Sequence, residues 1–411
     1  MRKILGLTLG IMTALGGFVD LGQIVFTMQA GALFGYRLLW VIVVGTAAII
    51  IYMEMCGRVA VVAQEPVFAT VRTKLGERLG LATLIASNLL NLITCAAELG
   101  GIGIILHLLT GWNEHLCLVA AAVLLGAIIA VLKFQWIERT FGLSGLLIVV
   151  FALAAWKLQP NWGAAARGFL PSVTAQSKHD LLLYAYFAVG IFSAMLMEYE
   201  VHFYSSGAIE EDWTVDDLGE NVAVAGLGSL LGSILTCALV AVAAIVFLPR
   251  GIFPDAISTA PLPITSAYGA RAVSLALLGC LACITGAAVE TALSGAYNVC
   301  QFYNLVWGKN LKLKKAPAFT AIWMAMLAVA GVIAITGIEP LTLVNFSIVF
   351  GMVVMPFTYY PILTAAADRN IMGKHANGKT YNMVGWFFLI LIGVASIAAI
   401  PLMVLTHSGK P

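Results

Sequence analysis

The chain has 411 residues, 61% of them hydrophobic and only 10% charged, with a net charge of +2. Soluble domains carry about a quarter charged residues, so a chain this apolar lacks the polar surface to face water on all sides. The near-neutral balance supplies no basic face for nucleic acid.

A membrane helix needs about 20 mostly apolar residues. Spans are expected at 4–31, 38–63, 82–110, 116–133, 138–157, 180–206, 219–249, 270–303, 316–337, 340–366 and 382–406. The apolar run behind Met1-Arg2-Lys3 is too long for a secretory signal and has no small-residue cleavage site, so it reads as the first span. The polar stretches near 158–180 and 250–270 read as loops, and no soluble domain, low-complexity segment or sequence repeat is visible. Lys and Arg set orientation. With the N-terminus in the cytoplasm, 15 of the 22 fall inside and 7 outside. The acidic stretch from Glu210 to Glu220 also falls inside, but acids carry little weight in topology. The expected class is an all-α polytopic protein of the cell membrane (plasma or inner), multi-pass, with a cytoplasmic N-terminus.

Carboxylates inside hydrocarbon are functional candidates. Span 1 holds Asp20 within Gly16-Gly17-Phe18-Val19-Asp20-Leu21-Gly22-Gln23, where three glycines weaken the helix and let backbone approach a ligand. In span 2, Glu54 stands four residues before Arg58, the spacing of a helical ion pair. Glu98 in span 3 reads equally as a buried hydrogen-bonded acid or as part of a proton path. Span 6 carries Glu198 and Glu200 in Met197-Glu198-Tyr199-Glu200. Residues i and i+2 point about 200° apart on a regular helix, so the two acids share a cavity only if the helix breaks. Glu290 lies midway along span 8 among Gly286, Thr291 and Ser294, and is open to an accessory role. The seven cysteines are scattered, and Cys280 and Cys283 read as buried free thiols rather than a zinc or redox pair. Breaks in spans 1 and 6, five spans apart, predict two inverted five-helix halves whose interrupted first helices meet at the bilayer midplane. One transmembrane domain is expected over 1–411, with repeats at 4–157 and 180–366 and an extra helix at 382–406.

The sequence resembles the Nramp family of proton-coupled divalent-metal transporters from about residue 10 to 380. The resemblance rests on Gln29-Ala30-Gly31-Ala32 with Phe34-Gly35-Tyr36-Arg37-Leu38-Leu39-Trp40, on Asn161-Trp162-Gly163 with Gly168-Phe169-Leu170-Pro171, and on Met355-Pro356-Phe357 and Met372-Gly373. It implies a LeuT-type fold with a metal site. The family's helix 1 motif D-P-G-N reads Asp20-Leu21-Gly22-Gln23 here, which would make Asp20 and Gln23 ligands. Its helix 6 motif M-P-H-N reads Met197-Glu198-Tyr199-Glu200, which carries over Met197 as thioether ligand and Ala194, three residues earlier, as carbonyl ligand. A thioether favours softer transition metals. The departures are Glu198, Tyr199 and Glu200 in place of proline, histidine and asparagine, and Tyr204 in place of the second helix 6 histidine. On helix 3 the acid pair becomes Cys95 and Glu98, and a polar helix 10 position becomes Ile348. His202 matches neither family histidine and reads as a residue at the membrane interface.

Asp20, Glu198 and Glu200 would place three negative charges near one +2 ion, and like charges so close cannot all ionise. The candidate metal or substrate ligands are Asp20, Gln23, Ala194, Met197, Glu198, Tyr199 and Glu200, with Glu98, Glu290 and Tyr204 as a proton or accessory path. The expected function is secondary transport of a divalent metal ion, manganese- or magnesium-like, in symport with protons as the family implies. The competing cargo is a small cationic or zwitterionic organic solute, and the reading of another class is a non-transporting membrane sensor or partner subunit. No H-E-x-x-H, P-loop or nucleophile elbow suggests an enzyme. No cofactor is expected, the metal being cargo; the expected partners are the transported substrate and the lipid bilayer, with no nucleic acid and no obligatory protein.

Overall fold

Spans 2 and 4 to 11 form helices close to their expected bounds, and span 3 a longer one, in the computed structural model, which describes residues 19–173 and 177–410. Of span 1, the described part is α1 (Leu21–Phe34); residues 4–18 of that expected span lie outside the described residues. The others are α2 (Leu39–Ala63), α3 (Val67–Thr110), α4 (Glu114–Val131) and α5 (Phe134–Lys157). After them come α6a (Lys178–Met195) and α6b (Glu198–Glu210). The last five are α7 (Val215–Arg250), α8 (Ala270–Phe302), α9 (Pro317–Ile335), α10 (Pro340–Ala367) and α11 (Lys379–Leu405). Among the described residues ten helices are long and apolar enough to cross a membrane, counting α6a and α6b as one, and there is no strand.

Some expected loops are helical. α3 begins at Val67 rather than near 82, as a short arm that turns at Gly76 (φ 76°, ψ 174°) into the long helix. Only glycine takes that backbone conformation without strain. The stretches near 158–180 and 250–270 contain the short helices Trp162–Gly168 and Leu262–Tyr268. Asn161 caps the first by accepting from the Ala164 amide at 3.0 Å, and Pro261 and Pro263 flank the start of the second. Seven-residue helices are too short to register as an apolar period.

The helices that carry the site are the most enclosed. α8 and α10 pack along α3, α7 packs along α1, and α6b lies against α2 and α8. α1 meets α7 at Gly31, where a Cβ would stand 2.5 Å from the Val240 carbonyl oxygen. α4 and α11 sit at the edge and expose most of their apolar length, with Val123 and Ile397 outward. An apolar surface of this extent belongs against lipid, and the protein is a multi-pass membrane protein. The expected i, i+4 pair is formed: Arg58 Nε donates to Glu54 Oε1 at 2.7 Å. All seven cysteines are free.

Candidate functional site

α6 is interrupted where expected. α6a ends at Met195, α6b begins at Glu198, and Leu196 and Met197 leave helical geometry (φ −108°, ψ 18° and φ −32°, ψ 113°). Backbone freed inside a membrane needs partners from the surrounding protein, and here side chains supply them. The Ala194 carbonyl accepts from Gln23 Nε2 at 3.0 Å, and the Leu196 carbonyl from the Tyr359 hydroxyl at 2.5 Å. The Tyr199 carbonyl accepts from Ser294 Oγ at 3.0 Å. Facing the break is the start of α1. Asp20 is extended (φ −88°, ψ −179°), and its Oδ1 accepts from the Gln23 amide at 2.7 Å. Both Glu98 oxygens accept from the Leu21 amide, at 3.2 and 3.4 Å. Two carboxylates therefore satisfy the orphan amides at the positive end of this helix.

Between α1 and the break lies a cavity of about 40 Å³, lined by Asp20, Ser193, Ala194, Met197, Glu198 and Tyr199, with Leu90 and Thr94 of α3 and Ser347, Ile348, Gly351 and Met355 of α10. The Tyr199 hydroxyl stands between two donor atoms suited to a cation. It lies 3.2 Å from Asp20 Oδ2 and 2.8 Å from Met197 Sδ. Carboxylate, thioether, backbone carbonyl and phenol oxygen thus face one small space with room for an ion or a few waters.

The expected residues do not all share it. Asp20, Ala194, Met197, Glu198 and Tyr199 line the cavity, and Gln23 joins through Ala194. Glu198 turns its carboxylate aside: Oε1 accepts from the hydroxyls of Ser87 and, at 2.6 Å, Thr358, and lies 3.5 Å from His202 Nε2. Glu200 does not line the cavity; it is buried, with Oε2 unpaired. Three acids around one place are therefore not seen. The break precedes Glu198, so residues 198–200 belong to a regular helical turn and diverge. Among the described residues no three Asp, Glu, His or Cys groups converge as a metal cage.

The packing also places three further residues that the sequence singled out. Glu98 serves as the amide acceptor at the start of α1. Tyr204 stands away from the cavity, its hydroxyl donating to Asn221 Oδ1 at 2.8 Å. His202 is 1% exposed rather than interfacial, with its ring 4.9 Å from that of Phe68, because α6b is enclosed by α2, α3 and α8. Ile348 does line the cavity, from the helix 10 position noted in the sequence. Sequence reasoning missed Ser87, Ser193, Thr358 and Tyr359. Isolated hydroxyls in apolar helices ordinarily bond their own preceding turn, so nothing in the sequence separates these four from the rest.

Comparisons with known proteins agree with this architecture. The family model described as "Nramp: Natural resistance-associated macrophage protein-like" matches residues 10–401. A relative in Levilactobacillus brevis, a divalent metal cation transporter MntH, is 25% identical over 404 residues, covering 93% of this chain and 85% of that protein. The protein of the same name in Agrobacterium fabrum is 23% identical over 399 residues, with coverage of 93% and 84%. A crystal structure of a manganese transporter of Eremococcus coleocola superposes with a TM-score of 0.70 at 20% identity, covering 98% of this chain and 93% of that one. MhsT in complex with L-phenylalanine gives 0.65 at 17% identity, with coverage of 97% and 98%. The fold is of the LeuT type.

Proposed function

The chain belongs to the Nramp family, and from that premise we propose that it is a secondary transporter of divalent metal ions, manganese- or magnesium-like, working by alternating access. The observation that carries the reading is the meeting of Asp20, Ala194 and Met197 around a cavity of about 40 Å³. Asp20 supplies the charge, Met197 the thioether and Ala194 the carbonyl, Gln23 orients that carbonyl, and waters complete the shell of a hard or borderline ion. The relatives' names support the same cargo. The chain is assigned no enzymatic reaction, and its N-terminus is placed on the cytoplasmic side of the cell membrane.

Size and charge weigh against the organic alternative. A space of this volume accepts an ion with few waters. A zwitterion would also need a free helix N-terminus for its carboxylate. That of α1 is already taken by Asp20 and Glu98, and the first turn of α6b carries Glu198 and Glu200.

In this mechanism an arriving ion replaces the Tyr199 hydroxyl on Asp20 and Met197. The Asp20 charge is then neutralised, and α1 and α6 with their neighbours rock against the rest of the molecule. Each of the two repeats (4–157 and 180–366) gives one interrupted helix to the moving part, with 382–406 outside them. Reconstituted protein is expected to take up Mn2+ or Mg2+ into liposomes, and Asp20→Ala to abolish uptake. Uptake of a small amine without binding of any divalent ion would overturn the reading. Wild-type rates in Asp20→Ala would remove Asp20 from it.

A further inference from the structure

Glu200 of α6b and Glu290 of α8 are both buried, 4% and 6% exposed, and neither lines the cavity. Each has an Oε2 without a hydrogen-bond partner. Glu200 follows Tyr199, whose carbonyl accepts from Ser294 Oγ at 3.0 Å, one helical turn beyond Glu290, so the two acids belong to neighbouring turns of packed helices. Among the described residues no lysine or arginine pairs with either acid. Unpaired oxygens on neighbouring buried carboxylates lack both the donors and the opposite charge that burial requires. A hydrated cation supplies both.

α8 continues this polarity toward one end. Glu290, Ser294, Asn298 and Gln301 follow at intervals of four, four and three residues, which puts them on one helical face. All four are buried, and they span roughly 16 Å at the helical rise. Ser294 donates to the Tyr199 carbonyl at 3.0 Å, Asn298 Nδ2 to Asn88 Oδ1 at 3.3 Å, and Gln301 Nε2 to Ser206 Oγ at 2.7 Å. The face therefore meets α6b and α3. Along it Asn298 Oδ1 has no partner, and on α3 neither has Asn91 Nδ2. Unpaired buried polar atoms mark places that water or ions satisfy.

We infer that Glu200 and Glu290 form a second, weaker divalent-cation position, from which the ion leaves the Asp20–Met197 site along the polar face of α8 toward the cytoplasm. The inference rests on the transport reading above. Two carboxylates completed by water bind loosely enough to release the ion.

Equilibrium dialysis of Mn2+ against the purified full chain, paired with uptake in liposomes, tests it. Wild type is expected to bind one ion tightly and a second weakly. Glu290→Gln and Glu200→Gln should keep the tight ion, lose the weak one and slow uptake about tenfold, the factor that goes with roughly 1.4 kcal/mol. Glu290→Asp, which keeps the carboxylate, should retain both ions. A single ion in wild type, with Glu290→Gln transporting at the wild-type rate, overturns the second position. Loss of both ions in Glu290→Gln assigns Glu290 to the first site and overturns it too. If wild type binds no Mn2+ at all, the transport reading itself has failed.

Discussion

Tyr199 holds the two donor atoms that a cation would use. Its single hydroxyl proton can go to the Asp20 carboxylate at 3.2 Å or to the Met197 sulfur at 2.8 Å, and an ionised carboxylate is the stronger acceptor of the two. An arriving ion must displace it. Tyr199→Phe removes that competition, so the apparent affinity for Mn2+ should rise about tenfold, for a hydrogen bond of roughly 1.5 kcal/mol to a charged group. Calorimetric titration checks this, and weaker binding would show that the phenol oxygen is itself a ligand. Where the motif that this stretch resembles has histidine, Tyr199 has one donor and no positive form.

The break in α6 survives at element scale because neighbouring helices take up what it frees. Tyr359 of α10 holds the Leu196 carbonyl, and both groups are buried. Tyr359→Phe keeps the ring, whose centre lies 4.4 Å from that of Tyr52 at a tilt of 53°, but orphans the carbonyl. The expected loss is about 1–3 kcal/mol, read as a lower unfolding midpoint in detergent. An unchanged midpoint would mean that the carbonyl finds another partner. Met197-Glu198-Tyr199-Glu200 has no proline to announce the interruption, so the break was legible mainly from its two acids. The expectation is that a regular helix leaves one of them facing lipid, yet both stand on a regular turn and are buried, because α6b is enclosed on several sides. The outcome was subtler, since both lie after the break and face different neighbours.

One polar knot ties the basic end of the molecule together. Arg58 of α2 donates to Glu54, to the His375 carbonyl at 2.5 Å and to Asn377 Oδ1 at 2.7 Å. Tyr381 of α11 donates to Glu54 Oε2 at 2.9 Å, and Asn221 Nδ2 at the start of α7 donates to the Glu54 carbonyl at 2.9 Å. The sequence showed one ion pair on one helix, and the tertiary structure makes it the joint of three helices and a loop. Arg58→Ala leaves Glu54 buried with only the Tyr381 hydrogen bond and no opposite charge, an expected loss of about 3–5 kcal/mol. The double variant with Glu54→Gln should recover much of it. Wild-type stability in Arg58→Ala would show that the joint carries no load.

The sequence by itself determined the membrane class, the bounds of spans 2 and 4 to 11, the place of the interruption in α6 and Asp20 as a candidate, while Ala194 and Met197 became candidates through the resemblance to the Nramp motif. Apolar length and intramembrane charge are local quantities that a chain displays before it folds. Only the tertiary structure decided that Glu98 caps α1, that Glu198 turns to Ser87 and Thr358, that Glu200 is buried away from the cavity, and that His202 is enclosed. Those assignments depend on which helix faces which, and a helix buried on most sides carries no periodic signal to say so.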